Sequence, residues 1–117
     1  MSEAEDPLDL DAQAKAREKH EEIDRLKRLI EVGDLKWLMA HRQGRRIVRR
    51  LLEKYGVYRS VFRVVAAEMA FLEGQRNCGL ALIADLLEHT PERYAEMIQE
   101  TKDDNANLRK RSSSTGN

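Results

Sequence analysis

The segment from Arg45 to Tyr55 separates its side chains into two classes that recur with the period of an α-helix. Its apolar members are Ile47, Val48, Leu51, Leu52 and Tyr55. Its cationic members are Arg45, Arg46, Arg49 and Arg50. Such a pattern is typical of a helix that packs one face in a core and leaves the other in water. We therefore predict a helix here, with Ile47 and Leu51 buried and the arginines facing solvent.

Composition favours helix over strand along the whole chain. The 117 residues include 36% charged residues, 5% aromatic residues and two prolines. Ala, Leu, Arg, Glu and Lys favour helix, whereas strands are rich in β-branched and aromatic residues. The sequence therefore predicts an all-α fold, a small domain of four to five helices. The β-branched and aromatic stretch from Val57 to Val65 is compatible either with an extended connection or with the start of a helix.

Three regions differ in their patterns. Residues 1–33 begin with an acidic stretch and continue as a charged, alanine-rich helix with little to bury in its first half, which predicts an extended N-terminal helical arm. Gly33 and Asp34 suit the end of that helix and the N-cap of the next. Residues 34–102 are predicted to form the helical domain, whose last helix begins at Thr90-Pro91. Residues 103–117 are rich in Asn, Lys, Arg and Ser, which predicts a disordered tail.

Charge is arranged in blocks, although the net charge is zero. Residues 1–34 contain 11 acids and 6 bases, residues 35–67 contain 9 bases and one acid, and residues 68–104 contain 9 acids and 3 bases. Blocks of this kind bear on association rather than on fold. The single cysteine excludes an internal disulfide and favours a reducing compartment. Since no apolar run is long enough to span a bilayer, we expect a soluble protein made in the cytoplasm.

No catalytic or metal site can be assembled from the sequence. The three histidines are far apart and lack the spacing of paired zinc ligands, and one cysteine cannot supply a cluster. Cys78 lies within an apolar stretch and is interpreted as a small packed core residue. The acids of the predicted helix after Ala66 are interpreted as solvated faces. We therefore expect no enzymatic activity, no cofactor, no metal and no small-molecule substrate.

The arginine face is the charge feature with the clearest bearing on function. We use that name for five residues at helical spacing: Arg42, Arg45, Arg46, Arg49 and Arg50. Five guanidinium groups on one side of a helix repel each other unless an anion lies opposite. That anion is either a phosphate, which Arg binds in a bidentate manner, or an acidic segment of this protein or of a neighbour. The zero net charge favours the acidic segment slightly, because nucleic-acid-binding modules tend to be basic overall.

The stretch from Leu51 to Val65 resembles a helix-turn-helix. Gly56 stands at the position of the turn, and the would-be recognition helix carries Arg59, Ser60 and Arg63. In this interpretation Phe62 and Val65 are buried. Leu52 departs from the pattern, which has a small residue about four positions before the glycine.

Small residues recur in the predicted long helix after this stretch. Glycine inside a helix costs about 1 kcal/mol relative to alanine, so Gly74 and Gly79 indicate a close contact that compensates. We treat four residues of this helix as a candidate helix-packing motif: Glu73, Gly74, Arg76 and Gly79.

From Asp34 to Glu100 the chain resembles a family of small proteins encoded among the head and portal genes of short-tailed phages. The resemblance rests on residues 34–39 (DLKWLM), 44–46 with Leu51 and Leu52, 56–60 (GVYRS) and 71–79, and on Leu86, Pro91, Glu92, Tyr94 and Met97. Its most specific part is the Glu-Gly-Gln-Arg-Asn-Cys-Gly block at 73–79. The resemblance gives no catalytic residues.

The resemblance implies a virion or assembly role. The protein would be made in the host cytoplasm and would act in the virion, in portal-proximal head–tail assembly or as an internal protein ejected with the DNA. Its partners would be other virion proteins, and it would be oligomeric in the particle. The alternative is a helix-turn-helix DNA-binding factor for packaging or regulation, similar to a terminase small subunit, which would use Arg59 and Arg63.

Overall fold

A computed structural model describes residues 9–115 of the chain. Four α-helices lie in that range: α1 (Leu10–Met39), α2 (Arg42–Lys54), α3 (Ala66–His89) and α4 (Pro91–Thr115). Residues 9–115 contain no strand, so the prediction of an all-α fold with four to five helices is confirmed. Contacts between residues divide the chain into two compact units, Met1–Asp34 and Leu35–Asn117.

Helix α1 begins at an N-cap and is longer than the sequence predicts. The Asp9 carboxylate accepts a hydrogen bond from the Ala12 backbone N–H at 3.0 Å, which satisfies one of the free donors of the first turn. Most of the predicted acidic N-terminus, residues 1–8, lies outside the described residues. The prediction that a helix ends at Gly33 and a new one starts at Asp34 is wrong, because α1 continues through both. One glycine costs about 1 kcal/mol, which the helix-favouring residues on either side outweigh.

The connection between α1 and α2 is two residues long and depends on a glycine. Helix α2 begins at Arg42, three residues before the segment Arg45–Tyr55 that the sequence predicts to be helical. Gly44 is buried in the first turn of α2, where a Cβ atom would lie 2.0 Å from the Leu38 carbonyl oxygen. A side chain at this position would therefore drive the two helix ends apart.

Gly56, which the sequence placed at the turn of a helix-turn-helix, caps the C-terminal end of α2. Gly56 has φ of +73°, the left-handed conformation that glycine adopts at low cost. Its N–H bonds the Glu53 carbonyl at 3.0 Å, and the Val57 N–H bonds the Leu52 carbonyl at 3.2 Å. This pair of bonds is the Schellman motif, which caps a helix C-terminus.

No helix occurs between the cap and Ala66, so the helix-turn-helix prediction is wrong. Residues 60–63 have no assigned secondary structure. Phe62 and Val65, expected to be buried, are 71% and 58% exposed. Of the two interpretations left open for this stretch, the structure shows a connection and not the start of a helix.

The core of the Leu35–Asn117 unit is small. Its buried apolar side chains are Met39, Val48, Leu52, Val57, Leu86 and Met97. Helix α2 turns Val48 and Leu52 inward, and the Ile47 and Leu51 side chains are 45% and 38% exposed. The prediction that Ile47 and Leu51 are buried and all the arginines face solvent is wrong, because Arg45 is only 6% exposed. Arg45 stands three residues before Val48, on the same side of the helix.

Helices α3 and α4 meet at Thr90. The Thr90 hydroxyl donates to the Leu86 carbonyl at 3.0 Å, and α4 starts at Pro91 as predicted. The prediction of a disordered tail over 103–117 is wrong for residues 103–115, which continue α4, while residues 116 and 117 lie outside the described range. Residues 103–115 contain no glycine or proline to end the helix. Cys78 is exposed rather than packed in the core, because α3 turns the neighbouring Gly79 inward.

Candidate functional site on the arginine face of α2

Arg45 is the buried centre of the arginine face. Its Nε and one terminal nitrogen donate to the two carboxylate oxygens of Glu100, at 2.5 Å and 3.2 Å. Its other terminal nitrogen donates to the Met39 carbonyl at 2.8 Å, and the Glu96 carboxylate lies 3.3 Å away. The Glu100 hydrogen bond, opposed by burial, raises the pKa of Arg45 above its usual value. Arg45 thus ties the end of α1 and the start of α2 to α4.

Helix α4 supplies a row of acids that the arginine face meets. Glu96, Glu100 and Asp104 succeed one another at intervals of four, which places them on one side of a helix. Arg42 contacts the last two, with N···O distances of 3.4 Å to Glu100 and 2.7 Å to Asp104. Of the two anions considered for the arginine face, an acidic segment of the same chain is therefore the one found at Arg42 and Arg45.

The Glu96 carboxylate pairs with arginines of two helices, Arg45 of α2 and Arg93 of α4. Its pKa is lowered by a hydrogen bond from Arg93, one turn earlier in α4, and by the charges of Arg45, Arg93 and Arg42. The spacing of the acids in α4 was a signal in the sequence. Their pairing with α2 was not, since it joins residues 55 and 62 positions apart.

Arg49 is held by neighbours in and just after α2. Its Nε donates to Glu53 at 3.0 Å, and its guanidinium carbon lies 3.7 Å from the centre of the Tyr58 ring, a cation–π contact. Partial burial, together with the neighbouring Tyr94 phenol, raises the pKa of Tyr58 to about 12. Arg49 is therefore fixed in place by an acid and an aromatic ring.

Arg46 and Arg50 differ from the other three arginines. Both are exposed, and within residues 9–115 neither has an acid at ion-pair distance. Both line a groove of about 540 Å³ between α2 and the second half of α4. The remaining lining residues are Arg49, Glu53, Thr101, Asp104, Asn105, Asn107, Leu108 and Arg111. The structure thus divides the five predicted residues into three that are paired within the chain and two that are not.

The other two candidate arginines are not part of this site. Arg59 is exposed in the segment after α2. Arg63 donates to the carbonyls of Ser60 and Phe62 and lies 3.3 Å from the Glu68 carboxylate. Because no recognition helix carries them, Arg59 and Arg63 cannot read a DNA groove in the predicted way.

Of the two glycines in the candidate helix-packing motif, one makes the predicted close contact and the other does not. At Gly79 a Cβ atom would lie 2.3 Å from Val57 Cγ2, so the predicted close contact is present there. At Gly74 a Cβ atom would meet nothing within 4 Å, and the predicted contact is absent. Glu73 is exposed, and the Nε of Arg76 is buried without a hydrogen-bond partner among the described residues.

Neither a metal centre nor a membrane span is found in the described part of the chain. Between residues 9 and 115, no group of three or more His, Cys, Asp and Glu side chains is placed to hold a metal ion together. In the same range no helix has the length and apolarity needed to cross a membrane.

Comparison with known protein families identifies the chain. The profile of Bbp19-like phage proteins matches residues 35–99, more than half of the sequence. The chain belongs to the Bbp19-like phage protein family. This confirms, at the level of a phage protein family, the resemblance inferred from the sequence. Neither the search of curated proteins nor that of solved structures returned a match.

The region shared by the Bbp19-like family takes in much of the site. It contains α2, α3 and the first part of α4, and therefore the Arg45–Glu96 pair. Glu100 and Asp104 come after the matched region, so two of the three acids of the row lie beyond what the family profile describes.

Proposed function

We propose that this Bbp19-like protein is a structural component of the phage particle that acts through contacts with other virion proteins. Its place would be in portal-proximal head–tail assembly or among the internal proteins. Family membership supports the phage context. The support for a role in protein contacts is the amount of apolar surface that the chain leaves uncovered.

More large apolar side chains are exposed than buried among the described residues. Six apolar side chains are buried in the described residues, whereas 16 large apolar side chains are at least 37% exposed. Each square ångström of apolar surface left in water costs about 25 cal/mol relative to burial. Where such side chains gather in one patch, they usually mark a site of protein association.

The most exposed patch surrounds the start of α3. It consists of Phe62, Val64, Val65 and Phe71, whose side chains are 58–97% exposed. Three of them lie in the connection before α3, and Phe71 lies in the second turn of that helix. None of the four belongs to the core or packs against it. We therefore expect this patch to be covered by another protein in the particle.

Quantitative mass spectrometry of purified particles tests the proposal. We expect the protein at a fixed number of copies per particle after density-gradient purification and nuclease treatment. A particle variant with Phe62→Ser and Phe71→Ser should lose most of those copies, whereas Leu108→Ser, an exposed residue outside the patch, should not. Mature particles that contain none of the unmodified protein, with the protein also absent from assembly intermediates, would refute the proposal.

A further inference from the structure

The exposed side of α2 carries positive charge beside an apolar row. We call it the outer face of α2; its members are Gln43, Arg46, Ile47, Arg50, Leu51 and Lys54, all exposed. Arg46, Arg50 and Lys54 succeed one another at intervals of four, and none has an ion-pair partner in the part of the chain that the structure describes. Ile47 and Leu51 lie next to this cationic row on the helix surface. A partner for this face must therefore offer both carboxylates and apolar contact.

The exposed side of α3 has the opposite character. Along its centre lie four small residues, Ala70, Gly74, Ala81 and Ala84, with Asn77 between the second and the third, all exposed. Gly74 is unexplained within one chain, because a Cβ atom there would meet nothing within 4 Å, while glycine costs a helix about 1 kcal/mol. A small-residue row of this kind lets a second helix approach closely.

Carboxylates border the small residues of α3. Glu73 and Asp85 have no cation at ion-pair distance within residues 9–115, and Glu88 is near only His89, at 3.7 Å. We call the small residues together with Glu73, Asp85 and Glu88 the outer face of α3. This face matches the outer face of α2 in charge and in size, since small side chains stand opposite large ones.

We propose that the outer face of α2 in one copy of this chain docks on the outer face of α3 in a second copy. Arg46, Arg50 and Lys54 would pair with the carboxylates, and Ile47 and Leu51 would pack on the small residues. The contact requires a second chain, because in one chain α2 and α3 meet through buried residues such as Leu52 and Leu86, on the sides opposite to these faces.

The proposed contact is head-to-tail. The two faces share no residue, so each copy can use both at once. Contacts between unlike faces generate rings when the rotation closes and open filaments when it does not. A second copy explains more than a nucleic acid would, because a phosphate backbone would leave Ile47 and Leu51 exposed and would be repelled by the acidic face of α3. The inference rests on the proposed function in one respect: it names a second copy of this chain as one of the proteins contacted.

Charge reversal on each face tests the proposal in the full-length protein. Solution mass is measured by light scattering after size exclusion, over a range of concentrations, with helix content checked by circular dichroism. We expect Arg46→Glu with Arg50→Glu, and separately Asp85→Lys with Glu88→Lys, to raise the dissociation constant of self-association at least about tenfold. The control is Lys15→Glu with Lys19→Glu, two exposed cations of α1, which should leave it unchanged.

Mixing the two variants distinguishes a head-to-tail contact from other modes of association. Each variant keeps one native face, and the reversed α2 face of one variant is opposite in charge to the reversed α3 face of the other. An equimolar mixture should therefore regain the larger assemblies that neither variant forms alone. Combining all four reversals in one chain restores opposite charges across the contact and should restore the larger assemblies. Gly74→Leu, whose Cβ atom would meet nothing within 4 Å, should weaken association without loss of helix content.

Several results would overturn the inference. It fails if the reversals leave the mass unchanged, if the control weakens association as much, or if the mixture and the four-fold variant show no recovery. It also fails if Arg46→Glu with Arg50→Glu abolishes only the retention of a DNA duplex. None of these results bears on whether the protein is present in particles, so the proposed function would stand or fall separately.

Discussion

Replacing Arg45 by methionine should lower the free energy of unfolding by about 3 kcal/mol. Arg45 is 6% exposed, and it makes a bidentate bond to Glu100 together with a bond to the Met39 carbonyl. Methionine fills a similar volume and adapts to its surroundings, so the loss comes mainly from the carboxylate and the carbonyl that are left behind.

The size of this loss of stability depends on the contacts that the Glu100 carboxylate and the Met39 carbonyl retain. Removing one partner of a buried ion pair costs about 3–5 kcal/mol. Here the lower end applies, because the Glu100 side chain is 15% exposed and retains Arg42 at 3.4 Å. A loss of about 3 kcal/mol is a large part of the stability of about 5–15 kcal/mol that is usual for a domain.

Urea denaturation monitored by circular dichroism measures the effect. With a denaturant slope of about 1–3 kcal/mol per molar, the midpoint for Arg45→Met should fall by about 1–3 M. The matched control is Arg50→Met, an exposed arginine of the same helix, which should change the unfolding free energy by no more than about 0.5 kcal/mol. Arg45→Met combined with Glu100→Leu should recover much of the loss, because neither charge is then left unpaired. The reasoning is refuted if Arg45→Met and Arg50→Met are equally stable.

Three further predictions concern other parts of the chain. Gly79→Ala should lower the melting temperature, because the new Cβ meets Val57 and Tyr55 and overpacking costs about 1–3 kcal/mol. Gly74→Ala, whose Cβ meets nothing within 4 Å, should leave the melting temperature equal or higher. A lower melting temperature for Gly74→Ala than for Gly79→Ala would contradict the packing described. Absorbance at 295 nm should show one phenol that ionises near pH 12, and Tyr58→Phe should remove this ionisation. The free energy of unfolding should fall as pH rises from 10 towards 12, because the Tyr58 phenol of the unfolded chain releases its proton before that of the folded chain. Carboxyl-detected NMR should place the Glu96 midpoint below 4.5, so the stability it contributes is present above that pH and lost as pH falls through the lowered pKa. Arg93→Met should move that midpoint back towards 4.5, and an unchanged midpoint would show that Arg93 is not its cause.

The periodicity of the sequence was enough to predict the fold class and the position of α2, but not the rotation of α2 about its axis. Two apolar pairs stand side by side in that helix, Ile47 with Leu51 and Val48 with Leu52. Either pair gives a helical stripe, and the choice depends on the side chains that pack opposite. Only the structure shows that the acids of α4 draw Arg45 inward and leave Ile47 exposed.

Local signals were misinterpreted where one residue type serves two structures. Gly56 suits both the turn of a helix-turn-helix and a Schellman cap, and the two differ in the conformation of the residues after the glycine. The polar tail after Asp103 has the composition of disordered segments, yet nothing in it ends a helix, and Arg42 binds Asp104 at its start. Conversely, the α4 acids at intervals of four were visible in the sequence, and an acidic segment was already the favoured partner of the arginine face. Which acids pair with Arg42 and Arg45 could not be predicted, because the pairs join residues far apart in the chain.

The mass of the unmodified full-length chain in solution is the most direct test of the claim that its exposed faces contact other copies. We predict oligomers heavier than the 13.6 kDa chain. Their mass should increase with protein concentration at low salt and decrease as added salt screens exposed charges. A mass of one chain at every concentration and salt level would contradict that claim.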